Sequence, residues 1–179
     1  MLELKVKAFE AFDETHQEFI KIPSTTLRLE HSLVSLSKWE AKWKVPFFSE
    51  RKKSAEQLRD YIRCMAIGQN INPNVFIGLS VSDIKKVQEY IAEEHTATTF
   101  SDTTNQFSSR IVTSELIYYW MTVYNVPFEC QKWNLSRLLT LLRIASIENA
   151  PKKKIPTREL MDRNRALNRA RRKARHTKG

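Results

Sequence analysis

The chain has 179 residues, enough for one compact domain and an appendage, with 30 Lys and Arg against 20 Asp and Glu. Residues 151–179 hold twelve of those basic residues and two acids, Glu159 and Asp162, so the whole net charge of +10 sits in that tail and residues 1–150 are neutral. The split directs any electrostatic partner to the tail, and a glycine content of three (Gly68, Gly78, Gly179) argues against P-loops and dinucleotide folds, whose phosphate cradles need close backbone approach and positive φ.

The chain opens on period-two patterning. Leu2, Leu4, Val6 and Ala8 alternate with Glu3, Lys5 and Lys7, which predicts a strand. Residues 19–22 predict a second strand, closed by Pro23 and Ser24, and residues 26–30 a third. A small N-terminal antiparallel sheet is the simplest arrangement, and the Thr-rich stretch 96–101 is a candidate to join it. Helices follow. Leu33, Leu36, Trp39 (or Glu40) and Trp43 recur at helical spacing over residues 32–44, ahead of Pro46. Residues 54–67 begin with a capping box, Ser54 and Gln57, and Gly68 is expected to end that helix. Ser80 or Ser82 caps a third helix with Ile84, Val87, Tyr90 and Ile91 on one side.

Residues 96–110 are polar and predict a long loop or hairpin, the best candidate within the body for a partner-facing segment. Thr113 or Ser114 starts a helix whose apolar residues Leu116, Ile117, Tyr119, Trp120, Val123 and Tyr124 cover most of its circumference, so it is expected to be the most buried one. Asn134 caps a helix over 135–147, and Asn149 to Pro151 close the body. A Lys-rich linker, 152–156, leads to a last helix from Thr157 to about Ala174. The expected fold class is α+β, predominantly α-helical: a small N-terminal antiparallel sheet, a helical body to residue 150, and a basic C-terminal helix in 151–179.

The most apolar stretch, 117–126, holds three tyrosines and is half of the ~20 residues a membrane span requires. Nor does the N-terminus read as a signal peptide. Cys64 and Cys130 lie far apart, without a second Cys or a His at metal-ligand spacing, and are expected to be buried thiols in a reducing compartment.

Residue types that carry chemistry are thinly spread. The histidines are His16, His31, His95 and His176. His95 follows Glu93 and Glu94, a pattern that suits a metal site or a general base but far more often a solvated helix end. His31 fits a packing or capping role. No serine stands in a Gly-x-Ser-x-Gly elbow. Cys130, beside Glu129 and Lys132, has no histidine near it in sequence to activate it. Tyr118, Tyr119 and Trp120 could stack bases, but their helical spacing beside Leu116 and Ile117 favours core. Trp39 and Trp43, interleaved with Lys38, Lys42 and Lys44, read as packed indoles ringed by snorkelling lysines in preference to a stacking platform. No catalytic residue, cofactor site or metal site is expected.

The tail carries the strongest signal. Leu160, Leu167 and Ala174 recur every seven residues among Arg163, Arg165, Arg169, Arg171, Arg172, Lys173 and Arg175. This arginine-rich helix with a thin apolar stripe suits three roles: a nucleic-acid groove binder, a helix laid on an acidic protein partner, or a solvated tail. A membrane-surface role is the weakest, because no Leu-dense or aromatic face is present.

Several strings resemble a group of tailed-bacteriophage proteins. They are EHSLVSLSKWE at 30–40 with Lys42, Trp43, Pro46 and Phe47; TSELIYYWM at 113–121; VPFECQKW at 126–133; RLLTL at 137–141; RNRALNR at 163–169; and the terminal TKG. The resemblance spans residues 26–179 and departs at Asn134, where the group's pattern leads one to expect His after Trp133. Members belong to tail and virion gene modules and are often labelled tail assembly chaperones, which bind the helical tape-measure protein until tail-tube subunits polymerise around it. The resemblance implies a non-enzymatic tail-morphogenesis protein of the bacterial host cytoplasm, with tape-measure or other tail proteins as partners, homo-oligomerisation open, and no catalytic residues. A structural virion component of the neck, tail or baseplate is the first alternative. A nucleic-acid binder acting through the arginine helix is the second.

Overall fold

Alternation at the N-terminus puts Leu4 and Val6 on one face of strand β1 (Leu2–Val6), with Glu3 and Lys5 on the other. β1 pairs antiparallel with β4 (Thr25–Leu29) in the register Leu2↔Leu29, Leu4↔Leu27, Val6↔Thr25, so Leu27 and Leu29 join the same buried face. The computed structural model of the chain describes residues 1–13, 17–68, 70–100, 111–150 and 157–175. Within them the fold is α+β and mostly helical, with its antiparallel strands at the N-terminus.

The strands form two two-stranded sheets, where the sequence pattern suggests one. The additional strand is β2 (Phe9–Asp13), which pairs with β3 (Glu18–Ile22). Its signal is easily missed because its side chains take both environments: Phe9 is half-buried, while Phe12 and its partner Phe19 stay exposed, edge-to-face at 5.2 Å. Phe9 packs its ring against Gly78; a Cβ there would lie 2.1 Å from the ring. Replacing Gly78 with alanine is expected to push the ring aside and cost about 1–3 kcal/mol in a urea titration. A Gly78→Ala protein as stable as the parent would show that β2 yields freely at this contact.

Helix α1 (Leu33–Trp43) is the buried helix of the body, and this corrects the expectation for the segment after Thr113. Ser32 caps α1 through Ser35, and Lys44 closes it in the left-handed conformation. Leu33, Ser35, Leu36, Trp39 and Glu40 are all buried, against α2 (Ala55–Met65), α4 (Ser114–Val123) and the 3-10 turn Phe128–Lys132. In α4 only Ser114, Ile117 and Met121 are buried, while Tyr119 is 62% exposed and Val123 50%. Its near-continuous apolar sequence is therefore only partly core, and Tyr119 faces solvent.

The Ser54–Gln57 capping box forms as the pattern predicts. The helix does not run on to Gly68, however. It ends at Met65, because the next residues turn extended along β4: Glu30 N–H donates to Met65 O at 2.9 Å and Ile67 N–H to Arg28 O at 2.7 Å. A 3-10 turn, Pro73–Phe76, leads to α3 (Val81–Ala92), which is capped by Ser80. Residues 96–100 carry neither strand nor helix, so the idea that this stretch extends the sheet fails for them, and residue 101 lies outside the described residues. α5 (Leu135–Asn149) begins at Asn134, whose Oδ1 accepts from Ser136 N–H at 3.0 Å.

The chain divides into two units, Met1–Ser146 and Ile147–Gly179. Most of the second unit's described residues belong to α6 (Thr157–Ala174), the expected basic helix; the Lys-rich linker 152–156 lies outside the described residues.

Candidate partner-binding surfaces

The seven basic side chains singled out in the tail all lie on or directly after α6. Arg163, Arg165, Arg169, Arg171, Arg172 and Lys173 are within it, and Arg175 continues its hydrogen bonding through its N–H to Arg171 O at 3.0 Å. All seven are exposed. Helical spacing puts Arg165, Arg169 and Arg172 on one face at i, i+4 and i+7, and Leu167, Ala170 and Ala174 on another. Arg163 falls in line with that apolar stripe, and Arg171 and Arg175 border it. Leu167 is 47% exposed and Met161 56%. Arg165 lies 3.9 Å from Asp162, an exposed pair that contributes little to stability.

Of the polar segment 96–110, residues 101–110 lie outside the described residues. The described part packs on α5: Phe100 carries the Arg143 guanidinium 3.9 Å from its ring centre, and Thr96, Thr98, Thr99 and Phe100 line a cavity of about 430 Å³ with Ser136, Leu139 and Thr140.

The carboxylates, phenols and imidazoles of the body form a hydrogen-bonded network. Glu30 accepts from Tyr90 Oη at 2.7 Å and Asn134 Nδ2 at 3.1 Å, and lies 3.1 Å from the N-terminal ammonium. Burial raises its pKa, but these donors and the ammonium charge outweigh burial and hold it below the usual value. Burial and the Glu30 carboxylate push the Tyr90 phenol up to about 12. His31 is buried with Nδ1 against Tyr61 Oη, and burial lowers its pKa to about 4, so it is neutral at pH 7. His95 is half-buried, not solvated: its N–H donates to Ser136 Oγ at 3.1 Å and its Nε2 meets Tyr90 O at 3.1 Å. Asn134 uses both ends of its amide here, its Oδ1 accepting from Ser136 N–H and its Nδ2 donating to Glu30. No buried side-chain N or O among the described residues lacks a hydrogen-bond partner.

His31 thus has the packing role its sequence context suggests. His16 and His176 lie outside the described residues. No group of three His, Cys, Asp or Glu suited to a metal occurs among the described residues. Cys130 is buried; Cys64 is half-buried, and burial together with the nearby Asp60 carboxylate pushes its thiol up, away from nucleophilic character. The two indoles are packed as expected: Trp39 Nε1 donates to Gln57 O and Trp43 Nε1 to Asp60 Oδ2, each at 2.9 Å, with Lys42 paired to Asp60 and 5.5 Å from the Trp43 ring centre.

One surface was not visible in the sequence. A groove of about 530 Å³ lies between α2, α3 and the segment 47–53. Leu58, Tyr61 and Ile62 form one wall, and Ile84, Val87 and Ile91 the other. Arg51, Lys52 and Lys53 stand at its rim beside Glu50. The Arg-Lys-Lys run ahead of the Ser54 cap is its only sequence trace, and it reads there as an ordinary charged loop.

Compared with protein families, curated proteins and solved structures, the chain matches none. No described helix is long and apolar enough to cross a membrane.

Proposed function

We propose that this is a non-enzymatic bacteriophage tail-morphogenesis protein, an assembly chaperone that binds the tape-measure protein in the host cytoplasm. The observation that carries the reading is α6: an 18-residue helix, exposed at every side chain described, whose arginines flank an apolar stripe. Such a helix is suited to lie against a long amphipathic partner helix bearing acids. The phage-like strings support the source of that partner. Three of them fall on α1, α4 and the 3-10 turn Phe128–Lys132, which pack together in the body, and one falls on α6.

A pull-down of the protein from infected cells, beside mass spectrometry of purified virions, tests this. Co-purification of the tape-measure protein is expected, with the chain absent from virions. The triple variant Arg165→Gln, Arg169→Gln, Arg172→Gln is expected to reduce co-purification about tenfold or more. A fixed copy number in virions without tape-measure binding would instead make the protein a structural part of the tail.

The common face of Arg165, Arg169 and Arg172 favours nucleic acid as a second reading. That reading requires DNA or RNA affinity that falls about tenfold or more from low to physiological salt and is lost in the same triple variant. Affinity that survives the triple variant would remove it.

A further inference from the structure

The groove between α2 and α3 has features that the role of α6 does not use. Ile84, Val87 and Ile91 follow one another at i, i+3 and i+7, so the α3 wall presents about 10 Å of apolar surface, close to two helical turns. Leu58, Ile84 and Ile91 remain only half-buried on that surface. At the rim, Lys53 lays its ammonium 4.5 Å from the centre of the Phe47 ring. Burial holds the Lys53 pKa below its ordinary value, and no described carboxylate forms an ion pair with it. A cation already partly stripped of water gains more from a carboxylate than a fully hydrated one does. With Arg51 and Lys52 alongside, the rim is cationic in spite of Glu50.

We propose that this groove docks an acidic amphipathic helix of a partner protein, with apolar side chains seated between α2 and α3 and a flanking carboxylate on Lys53. The volume lies within the range of ligand-binding clefts, about 300–1,000 Å³, and its two-turn length matches anchors at i, i+3, i+4 and i+7. Charge selects the occupant: a second copy of the chain offering α6 would bring arginines to a basic rim. The proposal rests on the chaperone reading only for the source of the helix. The groove would then be a second contact on the same partner, giving the body and the tail avidity for one long helix.

Fluorescence polarisation with the full-length protein tests it. The probe is a synthetic helical peptide with leucines at i, i+3, i+4 and i+7 and glutamates beside them. Saturable binding is expected, about tenfold weaker in Lys53→Glu and weakened again in Ile84→Asp, each checked for unchanged helicity. The Arg165→Gln, Arg169→Gln, Arg172→Gln protein is expected to retain most of the binding. Three results would overturn the proposal: equal affinity for a peptide with lysines in place of the glutamates, competition by dodecanoate at lower concentration than the peptide requires, or self-association that Ile84→Asp abolishes. Peptide binding at the groove in a protein that fails to capture tape-measure protein from infected cells would remove the chaperone reading and leave the groove standing.

Discussion

Replacing Glu40 with alanine is expected to destabilise the body by about 2–5 kcal/mol. Glu40 projects from the last turns of α1 and is only 6% exposed. One carboxylate oxygen accepts from Phe47 N–H at 2.7 Å and the other from Ser114 N–H at 2.8 Å. The first bond fixes the chain just after Pro46; the second holds the first residue of α4, whose N–H has no partner within its own helix. Alanine would leave two buried donors unsatisfied, at about 1–3 kcal/mol each. The helix N-terminus adds to the effect, because its partial positive charge favours a carboxylate there. Glutamine can serve only one donor through its single carbonyl oxygen, so Glu40→Gln should lose roughly half as much. Thermal denaturation followed by circular dichroism gives the ranking. Equal stability of Glu40→Ala and the parent would show that water replaces the carboxylate at both sites.

Acid is expected to weaken the body well above the carboxylate range, and His31 sets the window. Its ordinary pKa is 6.5, and burial against Tyr61 and Phe47, opposed in part by the Glu30 carboxylate, brings it to about 4 in the folded chain. Between those values the unfolded chain binds a proton that the folded chain refuses. Stability is therefore complete above pH 6.5 and declines as the pH falls towards 4, by about 3 kcal/mol for a shift of this size. The Glu30 carboxyl, whose pKa is lowered by folding, acts further down: its contribution is present above the unfolded value of 4.5 and is lost below it. Urea titrations near pH 7.5 and pH 4.5 separate the two. The parent should lose most of the 3 kcal/mol between them. His31→Gln should be less stable at the higher pH but nearly flat across the interval. A parent that shows no loss by pH 4.5 would mean that the imidazole reaches water when protonated.

His31 could be read as a packing residue from its sequence context, but no local pattern signals the part Glu40 plays. Glu40 occupies an ambiguous place on a helical face shared with Trp39, and its partners lie 7 and 74 residues away. Asn134 is legible as a cap for α5 because capping is a local exchange between a side chain and nearby backbone groups. Its bond to Glu30, 104 residues distant, is not.

The same division runs through the whole chain. The charge asymmetry, the pattern of β1 and the caps at Ser32, Ser54 and Ser80 follow from short-range chemistry, since alternation, helical spacing and orphan N–H groups involve neighbours in sequence. Tertiary packing decided which apolar surfaces find a partner. It buried α1 and left half of α4 in water, although α4 is the more apolar by sequence. It ended α2 at Met65 by offering the backbone an edge on β4 in place of another helical turn. It also opened the basic-rimmed groove, whose walls come from two helices more than 15 residues apart and whose rim comes from the loop ahead of them. Burial is a property of surfaces meeting, and a single stretch of sequence states only one of the two.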